Sequence, residues 1–165
     1  MDNSTLTDKI LAYKYLSDFT MDDAIDWAVE MLLKGYETPS LLILSGISKP
    51  AYAFEAETYL LSALRELNMS FPERHKAILN YCKHFIKDIA DSKNVKANLY
   101  QLYKVAKTTD DDKSIFDFYL LFWAWDDLDY GNTYQHYWPE AVKENIESVV
   151  IDVAQKWLTN QPVFV

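Results

Sequence analysis

The stretch FWAWDDLDYGNTYQHYW, residues 122–138, sets three carboxylates, one histidine and seven aromatic rings within seventeen positions. Carboxylates beside an imidazole are the components of acid–base or metal-assisted chemistry. Carboxylates beside Trp and Tyr are equally the components of a protein-binding hot spot. In a third arrangement, Trp and Tyr fill a core while their polar edges satisfy a neighbouring Asp. The binding candidates are Trp123, Asp126, Asp127, Asp129, Tyr130, Tyr134, His136, Tyr137 and Trp138. A small-molecule or metal-assisted enzyme would use Asp126, Asp127 and His136 at the mouth of an interhelical pocket.

Other chemistries find little support. His75 and His84 lie nine residues apart in one helical pattern, about half a turn from each other around the axis, so they do not chelate one ion. Neither an E-x-x-H pair nor H-E-x-x-H occurs. SGIS at 45–48 is not a G-x-S-x-G elbow, and there is no Gly-rich phosphate loop. Glu55 and Glu57 add to the available acids, but nothing in the sequence pairs them across a cleft. Cys82 is the only cysteine, which excludes an internal disulfide and multi-cysteine metal sites, and AILNYCKHF reads as a buried packing position. No catalytic residue, metal site or cofactor is assigned.

The elements that would position these residues are helices. Gly occurs three times and Pro five in 165 residues; Gly35 and Gly131 follow helical patterns as C-terminal caps do. Pro39, Pro50, Pro72 and Pro139 stand where helical patterns begin. The spacing predicts helices over about 7–18, from Thr20 to Lys34, and from Pro39 to Ser45 with Thr38 as cap. Further helices are expected from Pro50 to Leu67, with Phe54, Leu61, Leu64 and Leu67 inward, and from a Ser70/Glu73 capping box to Ala90. The last three run over Val95–Lys107, from a Ser114 cap to Tyr130, and from Pro139 to Thr159. In the sixth, Leu99, Leu102, Tyr103 and Ala106 face inward; in the last, Ile146, Val149, Val150, Val153, Ala154 and Trp157 do. TTDDDKS is a solvated connection. The expected fold is all-α, one domain of seven or eight antiparallel helices stacked in the manner of HEAT or TPR arrays, without a true sequence repeat.

In the seventh helix Trp123, Asp126, Asp127 and Tyr130 share one face. Phe118, Leu121, Phe122 and Trp125 cover the adjoining face, which predicts a central helix with Phe122 and Trp123 largely buried and Asp126 hydrogen-bonded. Asp129 is expected to be exposed. Three aspartates near the C-terminal end oppose the helix dipole and call for an offsetting cation, solvent or helix N-terminus.

The segment GYETPSLLILSGI, from Gly35 to Ile47, resembles a pattern of small bacterial all-helical proteins, G-x-[DE]-[ST]-P-x-L-x-x-L-[AS]-G. Gly35, Glu37, Thr38, Pro39, Leu41, Leu44, Ser45 and Gly46 match it, and FEAETYLLSALREL continues it to the terminal E-L. The resemblance covers about residues 24–67 and implies a fold rather than an activity. Proteins of this look are plausible immunity or accessory partners. On the residues alone, Gly35 caps one helix, Thr38-Pro39 opens the next, and Gly46 permits a turn or a close approach.

The formal charge of −9 argues against binding a phosphate backbone and suits a basic protein partner. No window is apolar enough to span a membrane, and MDNSTLTDKI lacks the form of a signal peptide, so a cytoplasmic location is expected. The leading expectation is a non-enzymatic, immunity-like protein-binding module, with the enzyme above and a self-associating structural module as alternatives.

Overall fold

A computed structural model of the chain describes residues 3–109, 113–131 and 133–160. These residues are all-α, with no strand among them. The α-helices are α1 (Thr5–Ala12), α2 (Met21–Leu33), α3 (Pro39–Ser45), α4 (Ala53–Glu66), α5 (Arg74–Ala90), α6 (Val95–Thr108), α7 (Phe116–Asp129) and α8 (Ile146–Asn160). A short 3-10 turn, Tyr13–Tyr15, extends α1. The chain divides into two compact units, Met1–Ala77 and Ile78–Val165.

In the first unit α2 packs on α3 and α3 on α4, while α2 also meets α1 and α4. Trp27 is fully buried among Ile10, Leu11, Ala28, Leu41, Leu44, Leu60 and Leu64. Its indole N–H donates to the Thr7 hydroxyl at 3.2 Å, so the ring enters the core without an orphaned donor. Thr20 and Asp23 form a capping box at the head of α2, and Asp23 also pairs with Lys9 at 2.8 Å. Gly35, at φ +85, then ends the helical run in the left-handed region that favours glycine.

The Thr38-Pro39-Ser40 opening of α3 has a specific fastening. The Thr38 hydroxyl accepts from the Leu41 N–H at 3.3 Å. The Ser40 N–H and hydroxyl donate to the two carboxylate oxygens of Glu66, at 3.1 and 2.7 Å. Glu66 is the acid of the terminal E-L on α4, so both ends of the 35–67 pattern meet in one capping interaction. The Ser40 hydroxyl, then the Thr38 hydroxyl and the Ser40 N–H, hold the Glu66 carboxyl below its ordinary 4.5. Gly46, by contrast, has ordinary backbone angles, and an added Cβ would meet only carbonyl oxygens at 3.5 Å or more. Neither a turn nor a close approach requires glycine there.

Several expected boundaries move. Only Pro39 opens a helix. Pro50, which follows a cis peptide bond, precedes the first residue of α4 by three positions, and Pro72 and Pro139 likewise stand outside the helices they were expected to start. Phe54 is 85% exposed rather than inward, because α4 turns Ala56, Leu60, Ala63 and Leu64 to the core. Ser70 does not cap α5, which begins at Arg74, and α7 is preceded by Ile115 rather than capped by Ser114. TTDDDKS is not solvated throughout: Thr108 ends α6 and Thr109 is buried, while residues 110–112 lie outside the described residues.

In the second unit α6 packs on α7, and α8 contacts both. Of the apolar stripe that the spacing predicts on α5, Ile78, Leu79, Cys82, Ile86 and Ile89 are buried and Phe85 is half-buried. So are Val95, Leu99, Leu102 and Val105 of α6 and Ile146, Val150 and Ala154 of α8. Tyr103 and Ala106 of α6 are half-buried, as are Val149, Val153 and Trp157 of α8. The Trp157 indole N–H donates to the Ser114 carbonyl at 2.6 Å, tying α8 to the entry of α7.

Candidate functional site: the outer face of the seventh helix

α7 buries one line of residues, Phe118, Leu121, Ala124 and Leu128. At roughly 100° per residue, Phe116, Tyr119, Trp123, Asp126, Asp127 and Tyr130 fall about half a turn away, on the side opposite the core. The outer face of a helix ordinarily carries Lys, Glu and other solvated chains. Here it carries rings toward the N-terminus and carboxylates toward the C-terminus. α7 contains four carboxylates and no cationic side chain.

The rings are organised with those of α6. Phe122 stacks on Tyr103 with centroids 4.0 Å apart, and Trp123 meets the same tyrosine edge-on at 5.6 Å. Tyr119 stacks on Tyr103 at 5.6 Å and on Phe116 at 5.5 Å, while Tyr100 leans on Phe122 at 5.7 Å. Tyr137 lies nearly parallel over Trp123 at 6.3 Å. The inner members of this ladder are half-buried, and its outer members Tyr100, Phe116 and Tyr137 are exposed. Phe122 and Trp123 are half-buried within this ring stack, short of the full burial of Phe118 and Leu121. Counting apolar positions overlooks that α6 offers Tyr100 and Tyr103, large rings that cover Phe122 and Trp123 only in part.

The carboxylates differ from one another. Asp129 is exposed, as expected, and pairs with Lys96 of α6, whose ammonium also sits 5.8 Å from the Trp125 ring centroid. Asp126 and Asp127 are half-buried, and neither makes a hydrogen bond or ion pair through its side chain among the described residues. The expected hydrogen bond of Asp126 is not formed among the described residues.

Beyond α7, Gly131 at φ +88 turns the chain back. Tyr130, 83% exposed, closes the outer stripe. Tyr134 and His136 contact each other edge-to-face at 4.6 Å and are both exposed. No hydrogen bond joins His136 to Asp126 or Asp127 among the described residues, and no group of three His, Cys, Asp or Glu is placed there to hold a metal ion. Trp138 is half-buried, and its N–H donates to the Gln135 side-chain oxygen at 2.8 Å. Gln135, only 2% exposed, returns its amide N–H groups to the carbonyls of Trp138 and of Ala141, the latter at 3.0 Å. One buried amide thus fixes the turn that presents Tyr134, His136 and Tyr137.

The structure thus brings Trp123 and Tyr137 together, groups Tyr134 with His136, and gives Asp129 a lysine. Sequence reasoning did not single out Tyr100, Phe116 and Tyr119 as part of this face, nor Lys96 or Gln135. The ring positions were legible in principle, since Phe116, Tyr119, Trp123 and Tyr130 keep i, i+3, i+7 and i+14 spacing. Gln135 had no such signal.

A concavity lies in the first unit, a cavity of about 350 Å³ lined by Asn3, Ser4, Thr7, Met31, Lys34, Tyr36, Leu67 and Met69. Its polar wall is largely engaged: Ser4 caps α1, Thr7 accepts from Trp27, and Lys34 pairs with Glu30. No family model, curated protein or solved structure matches the chain.

Proposed function

We propose that the protein is a non-catalytic protein-binding module, of the immunity or accessory kind, acting in the cytoplasm and meeting its partner with the outer face of α7 and the 134–138 turn. One observation carries this reading. The side of α7 opposite its core is built from Phe116, Tyr119, Trp123, Asp126, Asp127 and Tyr130, where a helix with no partner would carry solvated chains. Large rings contribute most of the energy at protein interfaces, and they lose little rotamer freedom on docking. The chain's charge of −9 suits a basic partner, such as a toxin that must be neutralised.

The test is co-purification of the tagged protein with the products of its neighbouring genes, in parallel with an Asp126→Lys/Asp127→Lys variant. A partner held by the parent and lost by the variant, with the melting curve unchanged, supports the reading. A partner held equally by both, or none at all, rejects α7 as the contact surface.

A further inference from the structure

α7 carries the same kind of recognition element twice, and only one copy is filled. The filled copy is Asp129 with Trp125. Lys96 of α6 pairs its ammonium with the Asp129 carboxylate and lies 5.8 Å from the Trp125 ring centroid, so one cation satisfies an acid and a ring face together. The second copy lies on the outer stripe, where Asp126 and Asp127 follow Trp123 by one turn and precede Tyr130 by one turn. It has rings and carboxylates in the same relation along the helix, but neither carboxylate has a partner among the described residues. Lys104, 5.6 Å from the Tyr100 centroid, places a further cation on the same aromatic ladder.

We propose that the outer stripe of α7 is a receptor for arginine side chains of a basic protein segment. Their guanidinium planes would stack on the exposed rings, and their N–H groups would bond to Asp126 and Asp127. This rests on the protein-binding reading above and names the chemistry of the partner. Charge selects a cation: α7 has four acids and no base, and the negative end of its dipole adds to Asp126 and Asp127. Shape selects arginine over lysine. A planar guanidinium stacks on a ring while its fork bonds a carboxylate, whereas an ammonium is a strongly hydrated point charge. The stripe runs the whole of α7, about 20 Å at 1.5 Å per residue, long enough for several arginines of one segment.

The probe is a dye-labelled peptide of alternating arginine and alanine, titrated into the full chain by fluorescence anisotropy. Its citrulline counterpart keeps the shape and removes the charge. Saturable binding of the arginine peptide is expected, about tenfold or more tighter than the citrulline peptide. An Asp126→Asn/Asp127→Asn variant and a Phe116→Leu/Tyr130→Leu variant, which removes exposed rings of the stripe, should each weaken it by about tenfold. A Glu37→Gln/Glu55→Gln variant, which removes the same net charge from exposed positions of the first unit, should bind like the parent.

Equal weakening by the Glu37/Glu55 pair would reduce the effect to net charge and overturn the proposal. So would binding that ignores citrulline, or no binding at all. Should the ring variant fold poorly, the aspartate pair decides alone. If a co-purified partner still needs Asp126 and Asp127 while no arginine peptide binds, arginine recognition falls and the protein-binding reading stands. If the partner ignores both aspartates, that reading falls as well.

Discussion

The 35–67 pattern and the outer face of α7 are both rich in polar and apolar groups side by side, yet they use them in opposite ways. In the first, the polar groups that open α3 are engaged within the chain: Thr38 caps, Ser40 donates twice, and Glu66 receives both bonds. In the second, Asp126 and Asp127 have no partner among the described residues, and Tyr100, Phe116, Tyr130 and Tyr137 are exposed. A capping network closed on itself stabilises a fold. Acids and rings left open on the face away from the core are available to something else. Two tryptophans make the same point. Trp27 is fully buried and hydrogen-bonded, whereas Trp123 is half-buried against Tyr103 and Tyr137.

The largest expected effect breaks the comparison if it fails. Trp27→Ala should cost about 3–5 kcal/mol, the cost of truncating a fully buried ring, a large share of the roughly 5–15 that hold a domain together. Trp123→Ala should cost less, about 1–2 kcal/mol, since only part of the ring leaves water on folding. Urea unfolding of both variants checks this, and equal costs would place Trp123 in a core.

Gln135→Leu comes next, at about 1–3 kcal/mol, because it leaves the Trp138 N–H and two carbonyls without their buried partner. The same variant should loosen the turn and raise the exchange rate of the Trp138 amide, which amide exchange measures directly.

Acid sharpens the contrast from the other side. The Glu66 carboxyl titrates below its ordinary 4.5 in the folded chain, so its contribution is fully present above that value. It is lost as pH falls through the lowered folded value. Melting temperature should therefore fall more steeply for the parent than for Glu66→Gln as pH drops below 4.5. At the opposite extreme, burial first and then the Glu57 carboxylate push the Tyr13 hydroxyl up to about 12, from 10.0. The stability this contributes is complete below the ordinary value and lost as pH rises through about 12, and Tyr13→Phe should lose that alkaline dependence.

The smallest effect belongs to Asp129→Asn. Breaking its exposed pair with Lys96 costs about 0–1 kcal/mol, while relieving the dipole at the end of α7 returns roughly 0.3–1, so thermal melts of variant and parent should nearly coincide.

What was legible in the sequence follows from how local its causes are. Thr20, Thr38, Pro39, Gly35 and Gly131 act within a turn of their own position, and each does what its type predicts. The inward lines of α5, α6 and α8 follow from periodicity and hold for most positions. Pro50, Pro72 and Pro139 signal that a helix is coming but not at which residue it starts. The site was legible as a composition and a face, with Trp123, Asp126, Asp127 and Tyr130 on one side of α7. Its true character depends on α6, which brings Tyr100 and Tyr103 to Phe122 and Lys96 to Asp129 from about 20 to 30 residues away. Gln135 was invisible for the same reason: a glutamine in a polar turn looks solvated until the chain folds over it.

Hydroxyl-radical footprinting of the free protein, read residue by residue by mass spectrometry, tests most directly whether the outer face of α7 is open. Trp123, Tyr130 and Tyr137 should oxidise readily while Trp27 stays protected in the same sample. Protection of Trp123 and Phe122 as complete as that of Trp27 would contradict the account and return the outer face of α7 to the core.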